Sequence, residues 1–342
     1  MASRTTSSSR DSGRTLIRIA IVVVAGCSSP DGDAIALPDG SPGLGFDDLR
    51  WSASLGRVVV PGARSGKVYL VDPDTGAVTS IDGFAATPDF AGGHDDGPTS
   101  VDEGRGLLFV TDRTRQSLDV VDPSARSVLS RTPLGASPDY VRWVEATNEL
   151  WVTEPAGERI EIFGLPAGEN TPIRTASIRV PNGPESLVID QARGRAYTHE
   201  WEAHTLGFDV RSRALLGTWS NGCAASRGIE LEPEHGWVLA ACNEGTLTVL
   251  DAANDGHVVS ALSAGAGYDV MGYSRTKRHA YLAGSACGCS TIMSLSPSGE
   301  LAFLARFDAP SDTHCVVADD RGHAFVCAPS EGALYRLTDT LP

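Results

Sequence analysis

The sequence of 342 residues has few aromatic side chains, no long apolar run and no excess of positive charge. Aromatic residues make up 6% of the chain, whereas 37 glycines and 20 prolines supply many turn residues, so the composition favours short strands joined by tight turns. The formal net charge of −15 disfavours nucleic acid as a partner, because phosphates would be repelled. Acidic side chains of this kind mostly keep a surface solvated.

Two motifs with defined chemistry are also missing from the sequence. There is no Gly-x-Ser-x-Gly sequence, so a nucleophile elbow of the kind found in serine hydrolases is not indicated. There is no Cys-x-x-Cys-His sequence, so covalently attached c-type haem is not supported either. We therefore predict no organic cofactor.

The N-terminus has the pattern of an export signal. Four arginines and one aspartate precede a short apolar run over residues 19–26, which is too short for a membrane-spanning helix of about 20 residues. The sequence Val24-Ala25-Gly26-Cys27 resembles a bacterial lipobox, although that motif prefers leucine where Val24 stands. The resemblance implies a lipoprotein signal peptide over residues 1–26 and a lipid-modified Cys27. An ordinary signal peptide with an incidental cysteine is the alternative.

The lipobox resemblance also implies a location. The protein would be an exported lipoprotein that faces the periplasm, or lies at the outer membrane or cell surface, of a bacterium. Its only contact with the membrane would be the lipid anchor. Residues 27–45, rich in proline, aspartate and glycine, are predicted to form a flexible tether and a closing strand.

The chain repeats one pattern seven times: a short apolar strand, a turn and another strand. The third strand of each repeat is predicted to end at the following positions: Val71, Val121, Phe163, Phe208, Leu250, Leu295 and Leu337. Subtracting consecutive positions gives steps of 50, 42, 45, 42, 45 and 42 residues. A period in the 40s with about four strands per repeat is typical of β-propellers. We predict an all-β, seven-bladed β-propeller of four-stranded blades over residues 46–342.

Two segments carry a resemblance to a known family. Leu108–Asp112 followed by Ser117–Asp122, together with Leu150–Thr153, resembles the YVTN family of propeller repeats. The resemblance covers roughly residues 47–340 and implies the same fold. It implies no particular function, because propellers host unrelated functions.

The last repeat ends too early to supply its own outer strand. An open sheet edge invites unwanted pairing, and propellers close by borrowing a strand from the other terminus. The apolar segment Ala34–Leu37 precedes the first repeat, and we predict that it pairs with Ala333–Leu337.

The phase of the repeat places many polar residues on one rim of the propeller, which we call the upper rim. It carries the loops that enter the first strand and those that join the second and third strands of each blade. The long loop 82–98 and the segment 198–204 belong to it. The candidate binding residues on this rim are His94, Asp95, Asp139, Glu185, His199, Glu200, His204, Arg227, Asp269 and His314. Carboxylates that only cap their own turns are the alternative. His235, His279 and His323 fall on the opposite, lower rim and are predicted to be solvated turn residues.

Six cysteines follow Cys27, all in the last three repeats. An even number of cysteines in an exported protein indicates disulfides, and six allow fifteen pairings. The geometry of a hairpin favours Cys223–Cys242 and Cys315–Cys327, which leaves Cys287 to pair with Cys289. A thiolate metal cluster is the alternative.

These observations favour a non-catalytic module, expected to be a monomer, that binds a protein of the envelope or a small ligand. The alternative is a metal-assisted hydrolase of the lactonase type, because YVTN propellers are similar to the seven-bladed lactonase fold. In that case a divalent cation at the propeller mouth would be held by residues among Glu185, His199, Asp269 and His314. A copper- or haem-linked redox partner is a third possibility, indicated only by the crowding of histidine and cysteine.

Overall fold

The computed structural model describes residues 32–342 and folds them into seven antiparallel sheets of four strands. The first four blades contain the strands β2 Arg50–Ser52, β3 Arg57–Pro61, β4 Lys67–Val71, β5 Val78–Asp82; β6 Pro98–Gly104, β7 Leu107–Asp112, β8 Ser117–Asp122, β9 Ser127–Pro133; β10 Val141–Val144, β11 Glu149–Glu154, β12 Arg159–Gly164, β13 Ile173–Arg179; β14 Glu185–Asp190, β15 Arg195–His199, β16 His204–Asp209 and β17 Leu215–Ser220. The remaining strands are β18 Ser226–Glu232, β19 Trp237–Cys242, β20 Thr246–Asp251, β21 His257–Ser263; β22 Tyr268–Ser274, β23 His279–Gly284, β24 Cys289–Leu295, β25 Leu301–Asp308; β26 Val316–Ala318, β27 His323–Ala328, β28 Ala333–Thr338 and β1 Asp33–Ala36.

This arrangement is the predicted seven-bladed β-propeller. Three short 3-10 helices interrupt it, in the loops between the second and third strands of blades one, three and seven: Ala63–Ser65, Pro155–Gly157 and Pro329–Glu331. The predicted signal peptide, residues 1–26, and the predicted lipidation site, Cys27, lie outside the described residues. Over residues 32–342, no helix has the length and apolar character needed to cross a bilayer.

The N-terminal strand closes the ring as predicted. Strand β1 is the outer strand of blade seven and runs antiparallel to β28, with Ile35 opposite Leu334. Both side chains are buried in the main hydrophobic core. Blade seven therefore joins the two ends of the described chain, and its outer edge is paired by a segment about 300 residues away in sequence.

The outer strand of each blade is the least buried of its four strands. All six residues of β19, the second strand of blade five, are buried between neighbouring sheets. The outer strands alternate between exposed and half-buried residues, as β13 does, because one face of each meets solvent. Ile173 on β13 and Leu215 on β17 are among the exposed apolar side chains. The apolar second strands thus fill the space between blades and hold the inner strands in a ring.

The three disulfides have the pairing that hairpin geometry favoured. Cys223–Cys242 ties the loop before β18 to the end of β19, and Cys315–Cys327 ties the start of β26 to β27. Cys287 pairs with Cys289 across a single glycine. Each bond lies within one blade on the upper-rim side, so the bonds brace individual blades and leave the closure of the ring to strand pairing.

One prediction about the lower rim is wrong. His279 is 1% exposed, and its Nδ1 lies 2.6 Å from a carboxylate oxygen of Asp339. The Tyr281 hydroxyl donates to the same oxygen. The reason is that the last residues of the chain return over blade six and cover this turn. His235 and His323 are half-buried, each with its Nδ1 beside a carboxylate of its own turn.

Candidate functional site

The upper end of the central channel opens into a cavity of about 300 Å³. Because every inner strand begins at this end, each blade can place one side chain at the mouth. Five blades place a charged residue there: Asp47, Asp139, Glu185, Arg227 and Asp269. We call this opening and the residues that line it the mouth cavity. The fold therefore collects charges that lie far apart in sequence into one small space.

Arg113 is the cation that organises one side of the mouth cavity. It stands in the loop between β7 and β8, and its side chain is only 8% exposed. Its Nη2 donates to Asp47 at 2.9 Å and to one carboxylate oxygen of Asp139, and its Nε donates to the Pro138 carbonyl at 2.9 Å. Its Nη1 donates to the carbonyl of His94 at 2.8 Å. Arg113 is thus held by four partners and links blade two to blades one and three.

The long loop before blade two delivers His94 to the same cluster. The Nδ1 of His94 lies 3.1 Å from Asp47. The negative charge of Asp47 raises the pKa of His94 to about 9, although burial opposes this. Burial by itself would raise the pKa of Asp47, but His94 and Arg113 outweigh it and lower that pKa to about 2. The same nitrogen of His94 lies 2.6 Å from Nη1 of Arg113, so Asp47 is the acidic centre of a three-residue cluster with His94 and Arg113.

Asp139 and Glu185 are not compensated in this way. Asp139 is 7% exposed; one of its oxygens receives Arg113, and the other is buried with no hydrogen-bond partner in the described chain. Glu185 is 6% exposed, and within residues 32–342 its carboxyl group makes neither a hydrogen bond nor an ion pair. Burial raises the pKa of Asp139 to about 7, and burial together with Asp139 and Asp269 raises that of Glu185 well above its usual value. Burial in the mouth cavity therefore favours the protonated form of both carboxyl groups.

The opposite side of the cavity carries an arginine stacked on a tryptophan. The guanidinium carbon of Arg227 lies 5.1 Å from the ring centroid of Trp201, and its Nη1 donates to the Ser226 carbonyl at 2.7 Å. The next residue is Gly228, where a Cβ atom would overlap the carbonyl oxygen of Asp269. The absence of a side chain there lets blades five and six approach, which brings Arg227 beside Asp269.

A buried ion pair lies beneath the mouth. Arg142 on β10 donates from Nη1 and Nη2 to the two oxygens of Asp48, at 2.5 and 2.9 Å. The Ser100 hydroxyl donates to Asp48 at 2.6 Å and accepts from the backbone N–H of Val141 at 3.0 Å. The guanidinium also lies 4.8 Å from the ring centroid of Tyr140, which lines the cavity. This cluster connects blades one, two and three directly under the site.

The structure brings six of the ten candidate residues together in the mouth cavity: His94, Asp95, Asp139, Glu185, Arg227 and Asp269. His314 lies beside them, with its ring centroid 5.5 Å from that of His94. Its Nε2 lies 2.7 Å from the Phe46 carbonyl and its Nδ1 lies 3.0 Å from the Asp312 carbonyl.

The other three candidates lie elsewhere. His199 is fully buried, with Nδ1 3.0 Å from the Thr205 hydroxyl and Nε2 3.3 Å from the Gly228 carbonyl, and burial lowers its pKa to about 4. Glu200 and His204 form a pair at 2.9 Å that lines a separate surface cavity. The segment 198–204 therefore does not form one site.

The residues proposed to hold a divalent cation do not fit a metal centre. Within the described chain, three groups of histidine, cysteine and acidic residues bring three ligand atoms within 4.8 Å of one another, and none of them contains Glu185, His199 or Asp269. The group that contains His314 depends on Cys315 and Cys327, whose sulfurs form a disulfide. We therefore derive no hydrolytic step through a metal at this mouth.

Sequence reasoning missed Arg113, which binds two of the mouth carboxylates. The signal was present, since Arg113 directly follows Asp112 in an upper-rim loop. It also missed Arg142. A lone arginine within the apolar strand Tyr140–Val144 indicates a buried partner, because an unpaired charge inside a core is costly.

Comparison with known proteins identifies the fold of this chain but neither a family nor a function. No protein-family model and no curated protein matches the chain. A chain in the crystal structure of the mitotic checkpoint complex is similar over 95% of this chain and 99% of its own length, with a TM-score of 0.74 and 16% identity. A chain of Kuenenia stuttgartiensis hydrazine synthase is similar over 94% and 99%, with a TM-score of 0.70 and 12% identity. At such identities the likeness shows the fold alone: this is a seven-bladed β-propeller protein.

Proposed function

We propose that the protein is an envelope-anchored lipoprotein whose YVTN-type propeller is a non-catalytic binding module, with the mouth cavity as the site for a small polar ligand. The observation that carries this proposal is the cavity itself, where one buried oxygen of Asp139 has no hydrogen-bond partner among the described residues and the Glu185 carboxyl group receives no donor from them either. Buried polar groups are almost always satisfied, so the unpartnered oxygen of Asp139 indicates a place for a ligand, and Glu185 supplies a second acceptor in the same cavity. A volume of about 300 Å³ lies at the small end of ligand pockets.

The choice of a binding module over an enzyme follows from the arrangement of the side chains. Arg113 and Asp47 are engaged with each other, and His199 is buried away from the cavity. Within residues 32–342, the hydroxyl group of Ser137, which lines the cavity, forms no hydrogen bond with a histidine or carboxylate there. The similarity to a chain of a multi-protein checkpoint complex is compatible with a scaffold, and docking of an envelope protein on the upper rim remains part of the proposal.

The binding role can be tested with a panel of small amines, carboxylates, zwitterions and neutral sugars. We expect at least one class to raise the unfolding temperature, because a ligand present at 100 times its dissociation constant stabilises the folded state by about 2.7 kcal/mol. Ser137→Trp, which fills the cavity, should abolish the shift. Ser124→Trp in an exposed lower-rim turn is the matched control. Equal shifts for both variants, or no shift with any class, would refute the mouth as a binding site.

The anchor is tested separately, through Cys27. We expect the full chain to fractionate with membranes and to incorporate a labelled fatty acid, since two or more acyl chains hold a protein stably at a bilayer. Cys27→Ser should lose the label and leave the membrane fraction. Ser28→Cys combined with Cys27→Ser is a control for the position of the thiol. A Cys27→Ser protein that stays with the membrane although no precursor with an uncleaved signal accumulates would exclude lipid anchoring at this residue.

A further inference from the structure

The charges of the mouth cavity define what could bind there. Asp47 is neutralised by Arg113 and His94, and one oxygen of Asp139 is taken by Arg113. The second oxygen of Asp139 and both oxygens of Glu185 receive no donor from the described residues. A carboxylate that is largely buried and has no donor is costly, so a cationic group bound in the cavity would stabilise both carboxyl groups.

A bare metal ion does not fit this arrangement. Three ligand atoms of the mouth carboxylates do not approach one another within 4.8 Å anywhere in residues 32–342. An ammonium group is larger and carries three donors, so it can reach carboxyl groups that stand too far apart for shared coordination of one small ion. The space of about 300 Å³ also exceeds what a single ion fills and suits an organic molecule.

Arg227 places a second requirement on the chemistry of the ligand. Its guanidinium faces the same cavity, is fixed by its stack on Trp201 and by the bond from Nη1 to Ser226, and forms no ion pair with another described residue. A planar guanidinium with free N–H groups is well suited to bind a carboxylate. Along the ring, blades three and four thus present acidic groups that receive no complete set of donors, and blade five presents a guanidinium that interacts with Glu185 and Asp269 electrostatically but forms no ion pair with either.

We propose that the mouth cavity binds a small zwitterion that carries a primary ammonium group and a carboxylate, as amino acids do, with the ammonium group at Asp139 and Glu185 and the carboxylate at Arg227. This inference rests on the function proposed above and narrows it to one chemical class. Trp201, which is 39% exposed, lines the same cavity and offers an apolar surface to the side chain of such a ligand.

Binding should release a proton. Burial raises the pKa of Glu185 first, and Asp139 and Asp269 raise it further, whereas Arg227 lowers it; Asp47 faces it from blade one. The ammonium group of a ligand lowers the pKa of Glu185 as Arg227 does, but from a shorter distance. It therefore favours the ionised form of Glu185 and displaces its proton. The measured binding enthalpy should therefore differ between two buffers with different enthalpies of ionisation.

The test is calorimetric titration of the exported protein with L-alanine, L-lysine and 4-aminobutyrate, compared with butylamine, butyrate and glucose. We expect at least one zwitterion to bind, with proton release, at least tenfold more tightly than butylamine and butyrate. Glu185→Gln and Arg227→Met should each weaken its binding by about 10- to 100-fold, because each removes a charged hydrogen-bond partner. The exposed Glu202→Gln and Arg179→Met are matched controls that should bind like the parent protein.

Each outcome has a defined meaning. Butylamine binding as tightly as the zwitterions, or an unchanged affinity in Arg227→Met, would overturn the role of the carboxylate. Binding of butyrate or glucose without binding of any zwitterion would overturn this inference while leaving the mouth as a binding site. If none of the six compounds binds and no member of the wider panel shifts the unfolding temperature, both this inference and the proposed function fail. Circular dichroism of the variants confirms that each is folded.

Discussion

Replacing Arg142 with methionine should lower the free energy of unfolding by about 3–5 kcal/mol. The guanidinium of Arg142 and the carboxylate of Asp48 are 3% and 2% exposed as residues, and two hydrogen bonds join them. Removing the cation leaves Asp48 buried with Ser100 as its remaining side-chain donor. Most of the loss comes from this uncompensated charge, since the methionine side chain keeps much of the packing.

The comparison that isolates the ion pair is a double replacement. In Asp48→Leu combined with Arg142→Met, both charges are gone, and we expect much of the lost stability to return, because an apolar pair of similar volume avoids the cost of desolvation. Arg179→Met, at an exposed pair with Glu158, is the matched surface control and should change stability by less than about 1 kcal/mol. All are measured by urea denaturation. A loss below about 1 kcal/mol for Arg142→Met alone would contradict the role assigned to this pair.

The buried pair of Arg142 and Asp48 also holds residues of the mouth cavity in position. Arg142 lies under Tyr140, and Asp48 directly follows Asp47 in the chain. The buried pair therefore supports two residues that line the mouth cavity from below. We expect variants of this pair to lose ligand binding together with stability, whereas Glu185→Gln should affect binding much more than folding.

The fold was predictable because the same sequence pattern occurs seven times in the chain. Seven repeats with steps of 42 to 50 residues give the blade number, and the missing outer strand of the last repeat gives the closing segment. The single long step of 50 corresponds to the loop between β5 and β6, which delivers His94 to the mouth. Each of these conclusions depends on a local pattern that recurs, so one weak repeat does not change the result.

The site was predictable only in part. The repeat pattern around a residue determines the rim on which it lies, but the direction of its side chain depends on the neighbouring blades. The phase of the repeat placed Asp139, Glu185, Arg227 and Asp269 at the mouth. It could not show that His199, on the same rim, turns between blades four and five toward the Gly228 carbonyl. Nor could it show that Arg113 would take Asp47 and one oxygen of Asp139, which depends on the distance between three blades.

The stability of the protein should fall as the pH rises from about 4 to 9, first through Asp139 and Glu185 and then through His94. His94 has its pKa raised from 6.5 to about 9 in the fold, so its stabilising contribution is complete below pH 6.5 and is lost as the pH rises through 9. The pKa of Asp139 rises from 3.8 to about 7, so the folded state holds a proton that the unfolded chain has released. Glu185 acts in the same direction. Asp47, whose pKa is lowered to about 2, loses its contribution only in strong acid.

Each proton that the folded state holds and the unfolded state does not hold contributes a slope of up to about 1.4 kcal/mol per pH unit. Glu185→Gln removes one such proton without changing the size of the side chain. We therefore expect its free energy of unfolding, measured by urea titration, to fall less steeply between pH 6 and 9 than that of the parent protein. His94→Gln should flatten it further above pH 6.5, and Glu202→Gln, at an exposed position of the same rim, should leave the slope unchanged. If the parent protein and Glu185→Gln had equal slopes, Glu185 would already be ionised in the folded state. The carboxyl group would then be balanced by the Arg227 guanidinium, and the ammonium group of a ligand would bind there without displacing a proton.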